Sequence, residues 1–189
     1  TYDVRLLKYS ANGIPSDADV VLVAHPAGLS ARTRYALDQF ALRGGPIVIF
    51  VDPFAENSPT DPQNAMQYLF PSSELAELFA RWGIEMPSGK VVGDRGMAIR
   101  VSAFAGPQRV LVDYVPWLQL RPEAFNAEDV ITNRLQLMRM SSAGSIQVLG
   151  MDGLTVTPLI QSTRDTLLID STVLRRRDDP NRLLENFQP

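Results

Sequence analysis

A chain of 189 residues, 45% hydrophobic and 21% charged, is sized for one globular domain or one domain with an appendage. It can bury a substantial core without cross-links. Its 18 basic and 21 acidic residues leave a net charge of −3, which gives no electrostatic ground for a nucleic-acid partner. The absence of cysteine excludes disulfides, a thiol nucleophile and Cys-ligated zinc or iron–sulfur centres.

Taken in chain order, Tyr2 to Lys8 (YDVRLLK) alternates loosely and reads as a first strand. Ser10 to Asp19 is turn-rich, with Asn-Gly and Pro. Val20 to Ala24 is a continuous apolar run, the pattern of a parallel strand buried on both faces. Ser30 is placed to cap a helix, because its hydroxyl can accept from a free amide of the first turn. Tyr35, Leu37, Phe40, Ala41 and Leu42 then give that helix an apolar face, and Gly44-Gly45 ends it. Ile47 to Val51 forms a second apolar strand, closed by Asp52-Pro53. A helical crossover between two apolar strands predicts a parallel pair and an α/β fold.

Phe54 to Ser73 reads as a long connection, with Ser72 or Ser73 capping a helix that runs to Trp82 and stops at Gly83. The helix–Gly–Ile–strand order that follows suggests another α/β repeat, with a short strand near Lys90 to Val92. Beyond Arg95 the pattern loosens. Ala98 to Ala103 and Arg109 to Tyr114 suit antiparallel strands, and Val115 to Asn126 reads as irregular. Ile146 to Leu149, Leu154 to Leu159 and Thr166 to Ile169 are further short strands, and Leu174 to Phe187 a charged turn and short helix. These patterns divide the chain into an α/β core over 1–110 and a C-terminal extension over 111–189.

Among the chemistry-bearing residues, His25 is the single histidine and stands at the carboxyl end of a strand, where α/β folds place ligands. A metal site needs several ligands and no second histidine exists, so no metal is expected. Asp52 ends the next strand and could share a crevice with His25, Pro26 and Pro53, or simply bond amides in its own turn. No serine lies in a G-x-S-x-G turn, and neither a P-loop nor a dinucleotide fingerprint occurs, so neither catalytic residues nor a cofactor are assigned. Asp94 and Arg95 (GDRG) read as exposed turn residues, and Arg175 to Asp179 as a solvated loop. Trp117, beside Pro116, is either a partner anchor or a core residue.

Residues 17–56 (DADVVLVAHPAGLSARTRYALDQFALRGGPIVIFVDPFAE) resemble the GldG-like auxiliary components of ABC-type transport systems associated with gliding motility. The likeness is most specific at Asp38-Gln39-Phe40 with Arg43-Gly44-Gly45, and continues more loosely through Thr132 to Ile146 and Leu154 to Thr163. It implies a flavodoxin-like, class I glutamine-amidotransferase-like parallel sheet with flanking helices, followed by a looser C-terminal β-rich part. It also implies a non-enzymatic, extracytoplasmic (periplasmic) domain of a membrane-anchored parent protein. Its partners would be the permease and ATPase subunits or other membrane proteins, or a carbohydrate-like ligand. The family's first strand and helix have no counterpart ahead of Tyr2, so a missing central strand and a homodimer are expected. Two alternatives remain: a hydrolase or glycan-processing enzyme using His25 and Asp52, and a purely structural spacer.

Overall fold

The computed structural model describes residues 2–8, 10–56, 75–105, 107–175, 180–185 and 187. The strand–helix–strand unit forms where its pattern places it: β1 (Val21–Ala24), α1 (Ala31–Leu42) and β2 (Ile47–Phe50), with β1 and β2 parallel and Val21 opposite Ile47. Among the described residues, however, the strands are covered on one face only, and Leu22, Val48 and Phe50 of the other face are exposed. Ser30 caps α1, its hydroxyl accepting from the Thr33 amide at 3.1 Å. At the other end Gly44 takes a φ of +83°, a left-handed turn that glycine adopts without steric cost. Leu37 and Phe40 of α1 pack with Val21, Leu29, Leu75, Leu78 and Phe79 into one core cluster. The last two belong to α2 (Ala76–Arg81), which Gly83 terminates. Tyr35 and Leu42, expected on the apolar face, are exposed instead.

The remaining sheets are antiparallel, which overturns the flavodoxin-like expectation. β3 (Ile84–Glu85) pairs with β8 (Gln147–Val148), and β4 (Lys90–Asp94) with β9 (Thr166–Asp170). β5 (Ala98–Ala105), β6 (Gln108–Leu120) and β7 (Met138–Ser141) form a three-stranded sheet. The only parallel pairing among the described residues is β1–β2. The physical reason lies in the connections. A parallel neighbour needs a crossover of a dozen or more residues, so the short link between β5 and β6 admits only an antiparallel pair, whereas β3–β8 and β4–β9 pair across long connections that leave their direction to tertiary packing. The Gly83–Ile84 step therefore opens no second α/β repeat, because β3 finds its partner some sixty positions later and runs against it.

Three local expectations change with the fold. Residues 2–8 join no sheet among the described residues. Val115 to Leu120 continues β6 rather than breaking it: the β5 register jumps from Ile99–Tyr114 to Ala98–Leu118, and Pro116 sits in the resulting bulge. The bulge absorbs the amide that proline lacks. Leu154 to Leu159 forms no strand; the next pairing there is an isolated antiparallel bridge, Phe125 with Ile160.

Two further clusters fill the β-rich part. Val92, Met97, Leu118, Leu120, Ala124 and Phe125 form one, and Phe54, Val91, Val115, Ile169 and Phe187 the other. The second draws in the chain's far end through α3 (Ser171–Arg175) and α4 (Pro180–Glu185), and Arg95 fixes it. The Arg95 guanidinium lies 4.8 Å from the Phe187 ring centroid and donates to the Phe187 carbonyl oxygen at 3.1 Å. The serine cap proposed at Ser72 or Ser73 and the Arg176–Asp179 charge run lie outside the described residues. No helix among the described residues is long and apolar enough to cross a membrane.

Candidate functional site

The carboxyl end of β2 does meet a crevice, but its other wall comes from far along the chain. Val51 and Asp52 line a half-open cleft of about 270 Å³ together with Met86, Met140, Ser141, Ala143, Gly144 and Ile146. The backbone of the 141–146 loop is held from two sides. The Ala143 carbonyl accepts from the Val92 amide at 2.7 Å, and the Ser142 amide donates to the Pro116 carbonyl at 2.9 Å. Gly144 packs tightly: a Cβ there would stand 3.1 Å from the Pro53 ring and 3.2 Å from the Met86 sulfur, so either neighbour would have to shift by a few tenths of an ångström. Pro53 is thus a buried wall beneath the loop rather than a contact on the rim.

Glu56 is the pin that joins the two walls. One of its carboxylate oxygens accepts from the Trp117 indole N–H at 2.9 Å and from the Ser142 hydroxyl. Ser142 is fully buried in a left-handed conformation, φ +50°, which this bond and its backbone bond hold in place. Trp117 is half-buried and meets Tyr114 edge-on, with ring centroids 5.3 Å apart at 89°. Burial, reinforced by the Glu56 charge, pushes the Tyr114 hydroxyl up to about 12. Trp117 therefore orients the cleft's loop through Glu56, a contribution that its sequence neighbourhood does not reveal.

His25 and Pro26 do not line this cleft. His25 closes β1 by donating its amide to the Phe50 carbonyl at 2.9 Å, and then turns the chain at φ +47°. The residue before a proline is normally extended, so this is a strained position, imposed where the strand must turn into the buried Pro26. The sequence-derived set of four thus separates: Asp52 reaches the cleft, Pro53 supports it, and His25 with Pro26 forms the neighbouring turn. Among the described residues no group of three or more His, Asp or Glu side chains could hold a metal ion.

With the site in place, comparison with known proteins decides the family. A family model described as an ABC-type uncharacterized transport system matches residues 1–189. The chain belongs to this family of ABC transport auxiliary components. No curated protein and no solved structure matches it.

The family-like motif in α1 is scaffold. The Asp38 carboxylate is buried and accepts from the Trp82 indole N–H at 3.1 Å, tying α1 to the end of α2. Gly45 passes so close under the Phe40 ring that a Cβ would overlap it. Asp94, expected on an exposed turn, is fully buried. It accepts from the Met97 amide at 3.1 Å, the Thr163 amide at 2.6 Å and the Thr163 hydroxyl at 2.8 Å. The G-D-R-G turn is thus a clamp between the start of β5 and the segment before β9, and its aspartate is committed to structure.

Proposed function

We propose that this auxiliary component acts without catalysis, as an extracytoplasmic docking domain of a membrane-anchored protein of the gliding-motility type. Its partner is the permease of the transport system or a membrane protein bound to it. The observation that carries the reading is the cleft at the end of β2. Val51, Met86, Met140, Ala143 and Ile146 make its lining mainly apolar, and Asp52 and Ser141 supply polar groups. Two methionines give such a surface an adaptable, polarisable lining, a composition suited to apolar side chains of a protein partner. Among the described residues the lining is aliphatic and methionine-rich rather than aromatic, which suits apolar side chains of a protein segment better than the stacking of a sugar ring. The Ser142 hydroxyl behind the cleft wall is bonded to Glu56 and Ser142 is fully buried, so that pair serves the loop's structure.

Co-expression with an ABC permease and ATPase from the same source tests the reading. Tagged wild-type chain should retain the permease through purification in detergent. Failure of the permease to co-purify, or hydrolysis of a glycan or ester substrate that disappears in His25→Ala, would defeat it.

A further inference from the structure

Among the described residues the parallel pair is covered on one face only. Val21, Val23, Ile47 and Ile49 pack in the α1–α2 cluster, while Leu22, Val48 and Phe50 on the opposite face are 65%, 45% and 62% exposed. Parallel strands normally have both faces covered, and a two-stranded sheet with one open apolar face is marginal in water. The β1 edge away from β2 is also unpaired among the described residues. The Val21 and His25 amides donate to Pro46 and Phe50 of the β2 side. By the two-residue alternation of a strand, the Leu22 and Ala24 amides point to the open edge, a template for another strand.

The chain itself carries a strand of the matching pattern. Tyr2, Val4 and Leu6 alternate with Asp3 and Arg5, and are 94%, 86% and 99% exposed. Within its own chain this segment pairs with no strand among the described residues. Arg5 pairs with Asp17 at 2.9 Å, and the Thr33 hydroxyl donates to the Ala11 carbonyl at 3.0 Å. Ile14 and Ala18 pack against the α1 cluster, fixing the link at that end.

We propose that two copies of the chain exchange these segments, residues 2–7 of each adding to the free β1 edge of the other. Tyr2, Val4 and Leu6 would then lie over the outer face with Leu22 and Phe50. Each copy gives and receives the same element, so the assembly closes with two-fold symmetry. At their exposed fractions Tyr2, Val4, Leu6, Leu22, Val48 and Phe50 offer on the order of 800 Å² of accessible surface per copy, an upper limit on what they can bury and of the size one partner loses in a standard stable interface.

Light scattering coupled to size exclusion, at tens of micromolar chain, tests this with the wild type, a Val4→Asp/Leu6→Asp double variant and Phe50→Glu. All three side chains are exposed, so the packed core is untouched; circular dichroism checks that the fold is unchanged. The expected masses are two chains for the wild type and one chain for each variant. A wild-type monomer overturns the proposal and leaves the edge to a strand from the transport partner. A dimer that survives either variant overturns it as well, by placing the contact on another surface.

Discussion

Replacing Asp94 by alanine tests the architecture at its most committed polar residue. The carboxylate is fully buried and accepts three hydrogen bonds, two of them from backbone amides that have no freedom to reorient. Truncation strands both amides, and a buried donor left without an acceptor costs about 1–3 kcal/mol. The Thr163 hydroxyl can rotate and loses less. Relief from burying the carboxylate offsets part of the penalty, which leaves a net loss of about 3 kcal/mol. Asp94→Asn keeps one acceptor oxygen and the side-chain shape, and should lose about half as much. Urea denaturation at neutral pH, followed by far-ultraviolet circular dichroism, measures both from the midpoint at unchanged slope. An alanine variant within about 1 kcal/mol of the wild type would refute the reasoning, because the amides would then have found water or another acceptor.

Three other outcomes follow from the same geometry. Gly45→Ala forces a methyl into the Phe40 ring and should cost about 1–3 kcal/mol by overpacking, with Phe40→Leu in the same chain restoring much of the loss in a double-mutant cycle. The Asp170 carboxyl is lowered to about 2, first by the Thr172 hydroxyl, then by the Thr172 amide and by Lys90. Because the folded value lies below the unfolded one, its contribution is complete above about pH 4 and lost as pH falls toward 2. Asp170→Asn should flatten the acid unfolding curve in that window. Glu56→Ala releases both Trp117 and Ser142, and should raise Trp117 fluorescence quenching by acrylamide while leaving α1 and β1–β2 intact; unchanged quenching would remove Glu56 from its role as the pin.

The strand–helix–strand unit was legible because its signals are local. Ser30, the apolar runs and Gly44-Gly45 each act within a few residues, and the cap, the parallel pairing and the helix stop form where the pattern puts them; the burial of both strand faces does not, since Leu22, Val48 and Phe50 are exposed. What lay beyond the reach of pattern was pairing between distant segments. Nothing near Ile84 indicates that it will meet Val148 antiparallel, so the sheet was assigned the wrong direction. Val115 to Asn126 reads as irregular, and only the bulge against β5 shows how β6 runs on through Pro116 to Leu120. The alternation of Met138, Arg139 and Met140 would have indicated β7.

The candidate site divides in the same way. Asp52 was placed by its position after an apolar run. Met86, Met140 and the 141–146 loop approach it only through tertiary packing, and Glu56 carries no motif. Asp94 lies buried where its G-D-R-G setting suggested exposure, because an aspartate in a glycine-flanked turn carries the same local signal whether its carboxylate meets water or a distant threonine. The left-handed turn at His25 was likewise hidden, since the following Pro26 argues locally for an extended residue.

The cleft's role in docking is the centre of the account, and Ile146 offers the cleanest access to it. The residue lines the cleft yet is half-exposed, so a charged replacement can block the cleft without emptying a core. Titration of the purified permease–ATPase complex with wild-type chain and Ile146→Arg measures the effect. The account predicts saturable wild-type binding that weakens at least tenfold in the variant, a loss of about 1.4 kcal/mol or more. Equal affinity of the two chains would contradict it.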